Sequence, residues 1–219
     1  MGKTRLLASA SDIPELSPVL ILDVEGGTFS IREKFPDVDV IRISSWAEMS
    51  KVYNDLYDGN HPYKTVGLDS LTEIQKMGMY GIMTALVAEP DNKDRDPDIP
   101  SVREWGKNIE QTRKLVRAFR DLPMNVIFTA LEMSDRNPRT GLTVTKPSLS
   151  GKLSGEVAGF LDEVLYMYVK TVDNEPQRLL LTRKTEDKVA KDRSDKLPQV
   201  ITDVTMKTIH NHMFSTANN

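Results

Sequence analysis

Cysteine is absent from this 219-residue chain, so a disulfide framework, a thiol nucleophile and a cysteine-ligated zinc site are all excluded. Three histidines leave little from which to build an imidazole metal cluster. Aromatic residues make up 6% and are not gathered into a platform on which nucleic-acid bases could stack. No apolar run approaches the roughly 18 residues of a membrane-spanning helix, and no charged stretch followed by an apolar core marks the N-terminus for export. No membrane partner is expected, and the expected compartment is the cytoplasm. Neither sign of charge dominates: a net charge of -3 and an isoelectric point near 5.7 exclude a uniformly basic nucleic-acid binder and leave only a regional basic face.

What is present suffices for a folded core. Hydrophobic residues are 39% of the chain, and its length suits one domain, or one with a small appendage. The division expected is a main unit over residues 1–200 and a C-terminal helix and tail over 201–219. The chain opens Met1-Gly2-Lys3-Thr4 and runs into Arg5-Leu6-Leu7-Ala8-Ser9-Ala10, the pattern of a phosphate-binding loop entering a helix. In the full motif, G-x-x-x-x-G-K-[ST], backbone N–H groups cradle phosphates, the Lys reaches the β- and γ-phosphates and the hydroxyl holds Mg²⁺. Gly2, Lys3 and Thr4 match its last three positions and Met1 the one before. Its first glycine and the preceding strand are not in this sequence. Alone, the tripeptide is more often an ordinary basic N-terminus than a nucleotide site.

The order of downstream signals favours the loop. Pro18 to Asp23 is an apolar run of strand length that ends in Asp23, Glu25 and Gly26-Gly27, as a buried parallel strand does at its functional edge. Ligands of open α/β sheets bind at carboxyl ends, which is where a working carboxylate would sit; a turn with solvated acids is the alternative. Asp39 to Ile43 is a second strand, and Ser45 with Glu48 reads as a capping box opening a helix to Tyr57. Tyr63 to Ser70 is a third strand ending in Asp69-Ser70, followed by a helix from Leu71 to Glu89. Pro90 to Pro100 is a charged surface loop. Trp105 to Asp121 is a basic amphipathic helix with Ile109, Leu115, Val116 and Phe119 inward and Arg103, Lys107, Arg113, Lys114, Arg117 and Arg120 outward, either a solvated face or a contact surface. Met124 to Leu131 is a fourth strand, with Thr129 placed to sense a γ-phosphate. Met133 to Lys146 forms a polar tip, a short helix ends at Phe160, and strands Asp162–Thr171 and Arg178–Arg183 form a hairpin across Asp173-Asn174-Glu175-Pro176. Lys184 to Lys196 is a charged loop whose cations Lys188, Lys191 and Arg193 have no obvious acidic partner, and Thr202 to His212 is a terminal helix.

The ordered set Gly2-Lys3-Thr4, Asp23-Val24-Glu25, Leu68-Asp69-Ser70 and Val126 to Glu132, closed by a hairpin and a basic loop, resembles the RecA-like ATPase core. The fold this implies is α/β, a RecA-like P-loop NTPase core with a mostly parallel sheet flanked by helices and a C-terminal antiparallel hairpin. More narrowly, the wording LILDVEGG, VGLDSLTEI and AKDR resembles phage-encoded nucleotide-binding proteins of the AAA-like group related to RecA, some of which are single-strand annealing recombinases. The resemblance covers roughly residues 1–200. It implies ATP and Mg²⁺ as cofactors. Gly2, Lys3, Thr4, Arg5, Asp69 and Thr129 would bind the nucleotide, with Thr4 and Asp69 on the metal. Glu25 resembles the catalytic carboxylate that orients the attacking water. Lys191 and Arg193, and less closely Lys188, resemble cations that reach a neighbouring subunit's nucleotide, and the Met133–Lys146 segment corresponds to DNA-contacting loops. The partners implied are further copies of the chain, single-stranded DNA and a phage single-strand-binding protein, in the bacterial host cytoplasm.

Beginning inside the loop departs from the pattern. The expectation is a truncated reading frame, with a degenerate homologue as the alternative. Three functions follow in order: an ATP-hydrolysing protein acting on single-stranded DNA in phage recombination or replication, a nucleotide-responsive single-strand binding or annealing accessory protein without turnover, and a non-catalytic structural component.

Overall fold

The computed structural model describes residues 2–136 and 141–215. Met1 of the loop motif, Asn137 to Thr140 of the polar tip and residues 216–219 of the tail lie outside the described residues. In chain order the first half comprises α1 (Lys3–Ala8), β1 (Val19–Asp23), β2 (Asp39–Arg42), α2 (Trp46–Tyr57), β3 (Thr65–Asp69), α3 (Leu71–Val87), α4 (Val102–Arg120) and β4 (Asn125–Phe128). A 3-10 turn, Ser9–Asp12, continues α1.

These four strands form one parallel sheet in the order β2-β1-β3-β4. Every residue of β1 and β3 is buried, as expected of strands covered on both faces. Alternation divides their side chains between two layers. Leu20, Leu22, Val66 and Leu68 pack with Met49 and Leu56 of α2, Ile74 of α3, and Leu115, Val116 and Phe119 of α4. Val19 and Ile21 face the opposite way, against Leu7, Ala8, Ala10 and Ile13. At Gly67 the second layer comes closest: a Cβ there would lie 2.4 Å from Leu7 Cδ1. The missing side chain of Gly67 is what lets α1 rest on the central strand.

Register then aligns the carboxyl edge of the sheet. Asp23 pairs with Asp69 and with Arg42 across the carboxyl ends of β1, β3 and β2. The expected α/β P-loop NTPase core, a parallel sheet flanked by helices with an antiparallel hairpin, is the fold observed.

The second half adds β5 (Glu132–Arg136), β6 (Thr143–Pro147), α5 (Leu153–Phe160), β7 (Glu163–Val164), β8 (Tyr166–Val172), β9 (Glu175–Leu181), β10 (Lys191–Asp192), β11 (Val200–Ile201) and α6 (Met206–Phe214). The Met133–Lys146 segment is an antiparallel arm of β5 on β6, not a bare tip. β8 and β9 pair around a two-residue turn at Asp173 and Asn174, both at positive φ, so Glu175 and Pro176 belong to the strand rather than the turn. β11 extends that sheet, and Ile201 and Ile209 of α6 join Leu180 and Leu197 in a third apolar cluster that also touches Leu6. Among the described residues no helix is long and apolar enough to cross a membrane.

One helix start and one cap differ from the sequence reading. α4 begins at Val102, not Trp105, because Ser101 and Glu104 form a complete capping box and Arg95 pairs with the same carboxylate. Hydrogen bonds from Ser101, then Arg95, hold Glu104 down at about 2. For α2, Ser45 accepts from Glu48 N–H, but the Glu48 carboxylate bonds Ser44 rather than Ser45. Arg113, expected outward, is mostly covered and bridges Glu110 and Glu156.

The Gly67–Leu7 contact gives a direct test. Gly67→Ala should destabilise the fold by about 1–3 kcal/mol through overpacking. Leu7→Ala alone should cost about 2–5 kcal/mol. Combined, the two should cost clearly less than their sum in denaturant unfolding, because the new methyl enters the space that Leu7 leaves.

Candidate functional site

Three chain segments meet at the carboxyl end of β3. Asp69 is 1% exposed, and a carboxylate so placed needs donors on both oxygens. Thr4 Oγ1 donates to Asp69 Oδ2 at 2.5 Å, and Thr129 Oγ1 donates to Asp69 Oδ1. The two hydroxyls come from α1 and from just past β4, so one side chain ties the strand to both neighbours. Ser70 Oγ, next in the chain and fully buried, has no hydrogen-bond partner among the described residues.

A turn from Asp23 to Thr28 closes over this pair. Asp23 is buried, and its carboxylate accepts from Gly26 N–H at 2.6 Å and from the Thr28 hydroxyl at 2.8 Å, while Arg42 lies 3.3 Å away. Val24 N–H and Glu25 N–H both donate to the Asp69 carbonyl. A Cβ on Gly27 would lie 3.8 Å from Thr4 Oγ1, so the turn borders the hydroxyl. Gly26 takes a φ of +84° with the Arg42 guanidinium against it, a conformation open chiefly to glycine. The two acids of Asp-Val-Glu therefore separate: Asp23 folds the turn, and Glu25 stays exposed with no side-chain bond among the described residues.

The other residues picked from the sequence are placed as follows. Gly2 and Lys3 begin α1 at φ +143° and at the first helical position. Arg5 is exposed on the side of α1 turned toward β9. Thr129 joins Thr4 at Asp69, as described. Lys191 and Arg193 are not brought to this point by their own chain. Lys191 Nζ donates to the carbonyls of Leu161, at 2.6 Å, and Ala158 at the end of α5, where a cation offsets the unpaired carbonyls of a helix terminus. Arg193 pairs with Asp162, and Lys188 with Asp187. Lys191 and Arg193 thus have partners that the sequence did not reveal, 31 residues apart for Arg193 and Asp162, whereas the partner of Lys188 is its neighbour in the chain.

The Lys184–Lys196 segment is also less of a free loop than expected. β10 pairs with β7, Lys188 forms a parallel bridge with Thr145, and Thr145 N–H donates to the Asp187 carbonyl at 2.7 Å. Register sets Asp192 against Glu163. Burial, with the Asp192 carboxylate beside it, pushes Glu163 up to about 7. Burial acts to raise the Asp192 carboxyl, but hydrogen bonds from the Ser194 hydroxyl, the Leu197 N–H, the Glu163 carboxyl and the Asp195 N–H together hold it below its usual range.

Sequence reasoning missed Arg178 of β9. A Cβ on Gly2 would come within 3.3 Å of its Nε, so the guanidinium lies directly against the glycine of the loop motif. Nothing local in the sequence marks it, because the approach is made by folding the β8–β9 sheet onto α1.

Among the described residues no group of three or more His, Cys, Asp or Glu is arranged to hold a metal. A cation at Asp69 would therefore take few protein ligands. That donor set, one carboxylate, one threonine hydroxyl and a nearby orphaned serine oxygen, fits Mg²⁺, which keeps waters and shares substrate phosphates. It does not fit zinc or another soft metal.

The profile of the AAA domain family matches residues 1–194. No curated protein matches the chain.

The Thr129–Asp69 bond should contribute measurably to stability. Thr129→Val keeps the shape but leaves one oxygen of a buried carboxylate unpaired, so unfolding free energy should fall by about 1.5–3 kcal/mol. Thr129→Ser should recover most of that loss in the same urea titration.

Proposed function

The chain belongs to the AAA domain family, a P-loop nucleotide-binding class, and on that premise we propose that it binds ATP with Mg²⁺ and hydrolyses it in a RecA-like homo-oligomer acting on single-stranded DNA. The setting proposed is phage recombination or replication in the host cytoplasm, alongside a phage single-strand-binding protein. The observation that carries the nucleotide reading is the convergence of Thr4 and Thr129 on the buried Asp69 carboxylate.

In this reading the residues divide the work by reach. Lys3 and the Gly2 backbone hold the β- and γ-phosphates, with Arg5 beside them, and Thr4 and Asp69 hold the metal. Mg²⁺, when bound, neutralises charge on the phosphate oxygens. Thr129 is fixed by Asp69, so a change in that carboxylate's bonding on nucleotide binding is felt by β4. Glu25 is exposed on the turn that borders Thr4 and is free to accept a proton from an attacking water or to orient it. Phosphoryl transfer needs mainly such positioning and charge stabilisation. A single chain leaves the last cation unfilled, and Lys191 or Arg193 of another copy is the candidate to fill it.

The DNA part of the reading is supported by connectivity. The β5–β6 arm starts three residues after Thr129, and Leu71 N–H bonds the Thr129 carbonyl while Leu131 N–H bonds the Thr72 hydroxyl. A displacement at Asp69 is thereby passed to the arm through short, directional contacts. Arg103, Lys107, Lys114, Arg117 and Arg120 expose a basic stripe on α4, interrupted by Glu110, which suits a regional phosphate contact. The second reading, a nucleotide-responsive single-strand binder or annealing accessory without turnover, is favoured by one observation. Lys191 and Arg193 are already engaged within their own chain.

Turnover and binding separate these readings. ATPase activity should rise more than linearly with protein concentration, and Glu25→Gln should lower it by about a hundredfold with ATP affinity retained, whereas Lys3→Ala should lose both. ATP binding with no turnover at any concentration would leave the second reading. Absence of Lys3-dependent ATP binding would remove both.

A further inference from the structure

Antiparallel register sets Glu163 of β7 directly opposite Asp192 of β10, in a ladder only two residues long on each side. Two carboxyl groups therefore face each other where the Lys184–Lys196 segment meets the chain leaving α5. We infer that this pair is a proton-operated latch: one proton held between the two carboxyls keeps Lys191 and Arg193 on their own chain, and its loss to solvent releases both cations toward a second copy. The consequence for turnover rests on the reading proposed above, in which Lys191 or Arg193 serves another copy's nucleotide; the latch itself does not.

Hydrogen-bond accounting places the proton. Asp192 is well supplied with donors: the Ser194 hydroxyl at 2.6 Å and Asp195 N–H at 3.0 Å reach Oδ1, and Leu197 N–H reaches Oδ2 at 2.9 Å. Glu163 is not. Ser194 N–H donates to its Oε1 at 3.3 Å, and Oε2 is buried with no donor among the described residues. An oxygen so placed is satisfied by carrying the proton itself and donating it to the carboxylate opposite. With both groups half-buried, two ionised carboxylates would repel each other across the ladder.

The neighbouring cations are engaged elsewhere. Lys191 Nζ sits on the Leu161 and Ala158 carbonyls, the Arg193 guanidinium on Asp162, Arg183 on Asp195 at 2.9 Å and Lys196 Nζ on the Met213 carbonyl at 2.7 Å. Lys191 and Arg193 flank Asp192 directly, so what parts Asp192 from Glu163 loosens both. Lys191 is matched with Val164 in the same ladder, and Arg193 N–H donates to the Asp162 carbonyl. The Arg193–Asp162 ion pair is exposed on both sides and in water adds little hold of its own. The sign of the pH dependence follows. The closed form keeps a proton that an ordinary glutamate gives up near 4.5, so closure is favoured below that pH, is lost progressively as pH rises to about 7, and changes no further above it.

Hydrogen exchange of residues 189–197, with the intrinsic pH dependence of exchange divided out, reads the latch without nucleotide. Protection in the unaltered chain should fall by about tenfold or more between pH 5 and pH 8. Glu163→Gln, which keeps a donor toward Asp192 and cannot ionise, should stay protected at both. Protection that ignores pH in the unaltered chain, or a fall that persists in Glu163→Gln, would overturn the inference. The carboxyl carbon of Glu163, followed by nuclear magnetic resonance in the unaltered chain, gives a second reading independent of any variant: its titration should centre well above that of an ordinary glutamate, and a midpoint in the ordinary range would overturn the latch. At pH 8 Glu163→Gln should also lower the concentration-dependent ATPase rate several-fold. A working latch with that rate unchanged would remove Lys191 and Arg193 from the neighbour's nucleotide, and no turnover in the unaltered chain would remove the hydrolytic reading, each without touching the exchange result.

Discussion

A carboxylate buried at the end of a parallel strand is stable only if both its oxygens are satisfied, and Asp69 meets that requirement with hydroxyls from two other elements. Because the donors come from α1 and from the end of β4, the same bonds that satisfy the charge also fix the relative positions of three segments. The Asp69 carbonyl does the same for a fourth, accepting from Val24 and Glu25. Gly67, two residues earlier on the same strand, lets Leu7 and hence α1 approach closely enough for Thr4 to reach. The geometry of the site and the packing of the core are thus set by one strand.

The same arrangement joins the proposed nucleotide site to the outer parts of the molecule. Thr129 leads directly into the β5–β6 arm, and the arm is stitched to the Lys184–Lys196 segment through Thr145 and Lys188. Two regions that looked independent in the sequence, the polar tip and the charged loop, are one hydrogen-bonded unit. On the other side of α1, the β8–β9 sheet brings Arg178 to Gly2 and the β11–α6 turn borders an open cavity there. A nucleotide held at Gly2 and Asp69 would touch both halves of the chain.

How much of this was legible in the sequence depends on whether the deciding contact was local. The apolar runs of β1 and β3 announced buried parallel strands, and their terminal acids stand side by side at the carboxyl edge. The division of labour between Asp23 and Glu25 was not legible, because it depends on the Asp23–Gly26–Thr28 turn and on Arg42 arriving from β2. The start of α4 was legible in Ser101 and Glu104 but was overlooked in favour of the more apolar Trp105. Lys191 and Arg193 looked unpaired because Leu161 and Asp162 are remote in sequence. Arg178 carried no signal at all, since only the folded sheet brings it to Gly2.

The central claim is that Thr4 and Asp69 form the metal-binding side of a nucleotide site. Electron paramagnetic resonance of Mn²⁺, substituting for Mg²⁺ and titrated with ADP present, reads that side without requiring turnover. Nucleotide-dependent uptake of Mn²⁺ by the unaltered chain, weakened by about tenfold or more in Thr4→Val and in Asp69→Asn, is the expected result. Mn²⁺ uptake that ignores both substitutions while both variants stay folded would contradict the claim and leave Asp69 as a structural tie alone.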